Sequence, residues 1–179
     1  MGAETIAGRV WCAPFRRDRR ELLRLFKLAD DSEQQIANYL HQGEIIFAAQ
    51  RGRLLGYAQV IDGKGESVLE LKSIAVDESF QRQGIGAKLI RAVVRYCHSR
   101  CARRLVVSTS IATSDAIAFY LGNGFRICGH QRDAFSVEAG YPETEGATGL
   151  PLNDAVIFEL PITDSLRPAN ERGSTCDCM

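Results

Sequence analysis

The sequence predicts a mixed α+β domain with about seven strands and four helices. Three observations lead there. Apolar runs of strand length alternate with stretches whose apolar residues recur at helical spacing. The segment Val68 to Thr109 reads as one strand–helix–strand unit, which makes its two strands parallel with a right-handed crossover. Between that first strand and its helix lies a glycine-bearing turn, Gln-Arg-Gln-Gly-Ile-Gly-Ala, residues 81–87.

Taken in order, Ile6 to Cys12 reads as a first strand stopped by Pro14. From Arg17 to Ala29, Leu22, Leu25, Phe26 and Ala29 fall at i, i+3, i+4 and i+7, an amphipathic helix. Asp30-Asp31-Ser32 interrupts it. A second helix then runs to about His41, with Ser32 as its cap and Gly43 as its stop. Glu44 to Gln50 and Leu54 to Ile61 pattern as strands joined by a hairpin at Arg51-Gly52-Arg53, and Val68 to Val76 as the next strand. The helix from Gly84 to Arg100 sets Leu89, Ile90, Val93, Val94 and Cys97 against Lys88, Arg91, Arg95 and Ser99. Leu105 to Thr109 is a strand. Ser114 to Leu121 is a helix capped by Thr113 or Ser114 and ended by Gly122-x-Gly124. Phe125 to Gln131 is a strand. Residues 132–152, with three glycines and two prolines, form a loop of functional length. Ala155 to Leu160 is the last strand. Beyond Pro161 the composition turns polar, so residues 1–162 are expected to form one domain and 163–179 a disordered tail.

Composition narrows the partners. Twenty-two basic and 22 acidic residues cancel, so no net charge draws the chain to nucleic acid or to a membrane surface. No apolar run approaches the roughly 20 residues of a membrane helix, and the N-terminus lacks the pattern of a secretory signal. The six cysteines are scattered without a Cys-x-x-Cys pair. That implies reduced thiols, a cytoplasmic location and no metal site.

The turn at 81–87 has a chemistry of its own. The first N–H groups of a helix lack intrahelical partners, and the helix dipole places positive charge there. Gly84 and Gly86 leave room for a pyrophosphate. The same residues also suit a purely structural helix start. The third glycine of a dinucleotide fingerprint is absent, since position 89 is Leu, and no Gly-Lys-Ser/Thr follows as in a phosphate loop.

Gln81, Gly84 and Gly86 match position by position the Q/R-x-x-G-x-G/A motif that binds acetyl-CoA in the GNAT N-acetyltransferases. Downstream, Ala116, Tyr120, Gly124 and Phe125 match the family's N-x-x-A-x-x-x-Y-x-x-x-G-F pattern, with Thr113 where many members have Asn. The two motifs cover residues 68–125, and within the family the chain resembles small bacterial acetyltransferases. The resemblance implies a mostly antiparallel mixed sheet whose parallel fourth and fifth strands splay apart. It places pantetheine along Ile74, Ala75 and Val76. It places the pyrophosphate on the N–H groups of Arg82, Gln83, Gly84, Ile85, Gly86 and Ala87, beside Gln81, with Thr113 and Tyr120 also at the coenzyme. A homodimer is common in the family.

Acetyl transfer to a primary amine in a ternary complex needs a base for the ammonium proton, a donor to the oxyanion and an acid for the leaving thiolate. The resemblance offers Tyr120 as the acid. It offers Glu70 as the base, although Glu70 also reads as half of a surface pair with Lys72, two residues on and on the same strand face. A backbone N–H near Ile74 is the oxyanion donor. The acceptor is expected at a mouth carrying Asp30, Asp31, Glu33, Asp133, Phe135, Glu138, Tyr141 and Glu143, whose carboxylates favour a cationic amine. The resemblance leaves the acceptor open. Two alternatives stand beside this reading: a non-catalytic acyl-CoA-binding or sensing module, and a different nucleotide binder.

Overall fold

The computed structural model describes residues 9–144, 146 and 149–163. Its centre is a seven-stranded sheet in the order β1-β2-β3-β4-β5-β7-β6. The strands are β1 Trp11–Pro14, β2 Glu44–Gln50, β3 Arg53–Asp62, β4 Val68–Val76, β5 Arg104–Ser110, β6 Arg126–Gln131 and β7 Ala155–Pro161. The helices are α1 Leu23–Ala29, α2 Glu33–Tyr39, α3 Ile85–Ser99 and α4 Ser114–Gly122. All strand pairs are antiparallel except β4 with β5, which the strand–helix–strand unit required. The sheet is mixed and mostly antiparallel with parallel fourth and fifth strands, as the resemblance implied.

Most elements lie where hydrophobic periodicity put them, and the departures have local causes. The first strand runs Trp11–Pro14, without Arg9 and Val10 and past the expected end at Cys12; residues 1–8, where its expected start falls, lie outside the described part. Its register is set by β2, with Trp11 opposite Ala49 and Pro14 opposite Ile46. As an edge strand it tolerates a proline. The helix expected from Arg17 begins as a 3-10 turn, Arg19–Leu22, whose N-cap Asp18 accepts from the Arg20 N–H. Ser32 caps α2 as expected, its Oγ accepting from the Gln35 N–H at 3.2 Å. Thr113 precedes α4 without a side-chain cap bond. Residues 132–152 carry a short 3-10 turn, Val137–Ala139, and one bridge between Thr144 and Pro151. The expected disordered tail lies outside the described residues.

Two features of β4 build the site. First, its ladder with β5 comprises Val68 with Arg104, Leu69 with Leu105 and Glu70 with Val106, and then stops. From Leu71 onward β4 pairs only with β3, and β5 continues beside β7. The two strands therefore splay, and one edge of Ile74–Val76 has no ladder partner. Second, Gln59 faces Ser73 while Val60 faces Leu71, so one step on β3 spans two on β4 and Lys72 is the extra residue. The bulge reverses side-chain parity. Leu69 and Leu71, then Ile74 and Val76, pack in the cluster under α3. Ala75 packs in the other cluster, with Leu25, Phe26, Tyr39 and Tyr57 under α1 and α2. Glu70 and Lys72 form the expected pair, and the alternation is interrupted beyond Lys72.

Cys12, Cys97 and Cys128 carry free thiols. Cys101 is disulfide-bonded. Reduced thiols throughout is therefore corrected: spacing along the chain carries no information on which sulfurs meet in space. Among the described residues no helix is long and apolar enough to cross a membrane.

Candidate functional site

The splay between β4 and β5 opens into two adjoining cavities. The larger, of about 650 Å³, runs from β4 across the turn to the N-terminal end of α3 and the face of α4. The smaller, of about 350 Å³, lies between β4, β5, the α1–α2 corner and the loop before β7. Leu28, Ile74, Ala116 and Tyr120 line both, so the two meet at these four side chains.

The turn of the larger cavity sets free backbone donors beside open space. Gly84 is the N-cap of α3 at φ 75, ψ 9, the left-handed region that glycine enters without penalty. A Cβ there would meet nothing within 4 Å, so the space beside the turn is open. The Lys88 N–H is the first to reach back to Gly84 O, at 3.1 Å. The N–H groups of Ile85, Gly86 and Ala87 precede it and have no intrahelical acceptor. Gly86 has a different duty from the one expected. A Cβ on it would stand 2.8 Å from Phe119 Cε2, so this glycine lets α4 pack against α3 rather than clearing space for a phosphate. The Gln81 side chain ties the turn to the strand, donating from Nε2 to Val76 O at 3.1 Å. Asp77 fixes the corner between them: Oδ1 accepts from the Ser79 N–H at 3.0 Å and Oδ2 from Arg24 Nη1 at 2.8 Å. These contacts, the Ser79 N–H first, hold its carboxyl below the usual range.

Of the residues expected at the coenzyme, Ile74, Ala75, Val76, Gln81, Arg82, Gly84, Ile85, Gly86, Ala87 and Tyr120 line this cavity. Gln83 does not, and its Nε2 donates to Ser79 O. Thr113 lines the smaller cavity instead. Phe80, Asp115, Phe119 and Asn123 also line the larger one and were not anticipated. Their signal is helical spacing: Asp115, Phe119 and Asn123 fall four apart on the Tyr120 helix.

Tyr120 is 6% exposed, with Phe119, Phe125 and Phe158 packed around its ring at 5.4 to 5.5 Å. Burial pushes its hydroxyl well above the ordinary tyrosine value, so it stays protonated at neutral pH. Among the described residues its hydroxyl has no hydrogen-bond partner, although the residue lines both cavities.

Glu70 lines neither cavity. It sits on the last rung of the β4–β5 ladder, below the splay, with Oε1 3.6 Å from Lys72 Nζ. Lys72 itself lines the smaller cavity and rests over the Tyr39 ring, 5.3 Å from its centroid.

Of the eight residues expected at the acceptor mouth, Asp30, Asp31, Phe135 and Tyr141 line the smaller cavity. Glu33 is on the surface, paired with Lys27. Asp133, Glu138 and Glu143 are exposed and line neither cavity. Asp30 is a fixed charge: Oδ1 accepts from the Ser32 N–H at 2.9 Å, and Oδ2 accepts from Tyr39 OH at 2.9 Å and Tyr141 OH at 3.5 Å. Burial, then the Asp30 charge, pushes both tyrosine hydroxyls upward, which keeps them donors. Polar residues at the end of β5, among them Ser108, Thr109 and Ser110, complete the wall.

The model of the Acetyltransferase (GNAT) family matches residues 9–125. The chain is 30% identical over 142 residues to the uncharacterized N-acetyltransferase YvbK of Bacillus subtilis, covering 79% of this chain and 90% of that protein. It is 30% identical over 140 residues to the ribosomal protein bS18-alanine N-acetyltransferase of Escherichia coli, covering 73% and 87%. Among solved structures, a GNAT family acetyltransferase from Elizabethkingia anophelis with acetyl-CoA bound superposes with a TM-score of 0.76 at 27% identity, covering 85% of this chain and 97% of that one.

Proposed function

The chain belongs to the Acetyltransferase (GNAT) family, and we propose that it transfers acetyl from acetyl-CoA to a primary amine by direct attack in a ternary complex. The observation that carries this reading is Tyr120: a buried, protonated hydroxyl without a protein partner among the described residues, on α4, a helix that walls both cavities.

The acetyl-CoA pyrophosphate suits the open space at Gly84 and the free N–H groups of Ile85 to Ala87. Pantetheine suits the unpaired edge of Ile74 to Val76. The thioester then falls where the cavities join, within reach of Tyr120. There Tyr120 protonates the departing thiolate, and a backbone N–H near Ile74 steadies the oxyanion. The amine enters through the smaller cavity and must be neutral to attack. Because Glu70 lies outside both cavities, its part as base runs through water rather than by direct contact. Asp30 and Asp31 favour an acceptor with a positive charge besides the reacting nitrogen. Peptides that present an alanine amine, after the alanine of ribosomal protein bS18 named for one relative, and polyamines are the first classes to screen.

The test begins with calorimetric titration by acetyl-CoA, with ATP and NAD as controls, followed by thiol release with a panel of amines. Binding of acetyl-CoA alone, with turnover of at least one amine, is expected. Coenzyme binding with no turnover on any amine would point to an acyl-CoA-sensing module.

A further inference from the structure

The smaller cavity has a roof, and the roof is fastened to α2. Gln35, in the first turn of α2, donates from Nε2 to Ala139 O at 2.9 Å, across 104 residues of chain. Next to Ala139, Gly140 sits on the N-cap of α2. A Cβ there would stand 2.8 Å from Ser32 Oγ and 3.0 Å from Gln34 Oε1, and its φ of 87 is itself a glycine conformation. Tyr141 follows, donating to Asp30 Oδ2, and its ring meets Phe135 edge to face at 5.0 Å. On its other side the loop is closed by its own backbone bonds, Phe135 N–H to Asn153 O at 2.8 Å and Leu152 N–H to Glu143 O at 3.2 Å, and is held to the sheet by Ser110 of β5, whose Oγ donates to Leu152 O at 2.8 Å.

We propose that Gln35 and Gly140 are positioning residues of the acceptor site, an inference that rests on the acetyl-transfer reading. Neither lines the cavity. Both act through the two residues that do, holding Phe135 and Tyr141 against Asp30 and so setting the width of the opening that admits the amine. The loop bonds to the sheet are independent of this latch, so releasing it loosens the roof without dismantling the fold. The coenzyme turn shares no contact with the latch, so acetyl-CoA affinity should not feel the release.

Gln35→Glu keeps the shape of the side chain, removes the donor and sets a carboxylate against the Ala139 carbonyl. Gln35→Lys restores a donor. Gly140→Ala attacks the same latch from the loop side. Four quantities are read on the full chain: melting temperature, acetyl-CoA affinity by calorimetry, hydrogen exchange of the peptide covering 133–141, and acceptor KM and kcat. The acceptor is whichever of spermidine, an alanine-initiated peptide and an N-blocked lysine peptide the wild type turns over best. Gln35→Glu and Gly140→Ala are expected to speed exchange in that peptide and to raise acceptor KM about ten- to a hundredfold, with kcat within about threefold. Acetyl-CoA affinity should hold in both, melting temperature should hold in Gln35→Glu and fall by a few degrees in Gly140→Ala, whose left-handed backbone is strained by a Cβ, and Gln35→Lys should recover part of the loss. Unchanged exchange overturns the proposal. So does faster exchange with an unchanged KM, or a parallel loss of acetyl-CoA affinity. The wild type is measured first: binding of acetyl-CoA without turnover of any of the three amines overturns the acetyl-transfer reading and takes this inference with it.

Discussion

The larger cavity, proposed for the coenzyme, and the smaller, proposed for the acceptor, meet at Tyr120 but are assembled in different ways. The first is walled largely by one continuous stretch, from Ile74 to Ala87, with α4 laid across it. Its working groups are backbone: a strand edge without a partner and a helix start without acceptors. The second draws side chains from five separate parts of the chain, the α1–α2 corner, the β4 bulge, the end of β5, α4 and the loop before β7. Its key contacts, Gln35 with Ala139 and Asp30 with Tyr141, join residues 104 and 111 positions apart. A site made of backbone depends on a few neighbouring residues and tolerates change elsewhere. A site made of distant side chains can be retuned by single substitutions while the coenzyme side stays as it is.

If this division holds, substitutions on one side should leave the other side's constants alone, and Tyr120, which both cavities share, should affect the chemical step. Tyr120→Phe is expected to lower kcat roughly ten- to a thousandfold with acetyl-CoA affinity unchanged by calorimetry. Full activity in that variant would remove Tyr120 from the mechanism. Gly86→Val should weaken acetyl-CoA binding by about tenfold or more, because its side chain must displace Phe119 and shift α4 against α3. The acceptor KM is then measured at saturating coenzyme, and a matching rise there would break the division.

On the acceptor side, Asp30→Asn keeps an oxygen for the tyrosine hydroxyls and removes the charge. The KM of a cationic amine should rise about five- to thirtyfold and that of a singly charged amine should not. Equal effects on both would show that Asp30 does not read charge. The pH profile sharpens the same point. The Tyr120 hydroxyl titrates above its ordinary value, so kcat should climb as the amine loses its proton and show no downturn from Tyr120 below about pH 10.

Asp77 offers a smaller, stability-only effect. Its folded carboxyl is depressed, so the stabilisation it gives is present above the unfolded value of about 4 and is lost as pH falls through the folded value. Asp77→Asn should flatten the acid limb of melting temperature against pH and loosen the turn. An acid limb identical to wild type would show that its contacts are inconsequential. Least of all, Glu33→Gln removes the exposed pair with Lys27 and should leave melting temperature and both substrates' constants where they were, the usual result for a solvated ion pair.

What could be read directly from the residues follows the same boundary. Alternating and helical periodicities located the strands and helices, Ser32 declared itself as a cap, and Gln81 to Ala87 announced a glycine turn that opens a helix, because each depends on neighbours a few positions away. Folding decided the rest. Where β4 leaves β5 depends on pairing with β3 and β5, and it left Glu70 below the splay and outside both cavities. The extra residue at Lys72 reversed the faces of the strand beyond it, which no alternation rule foresees. Gly86 looked like a phosphate glycine until Phe119, from another helix, came to rest on it. Of the carboxylates near the acceptor mouth, only Asp30 and Asp31 face the cavity, because the loop before β7 closes over that corner and turns Glu138 and Glu143 outward. Short-range backbone geometry is written locally in a sequence. Which side chains share a cavity is settled only when segments a hundred residues apart pack together.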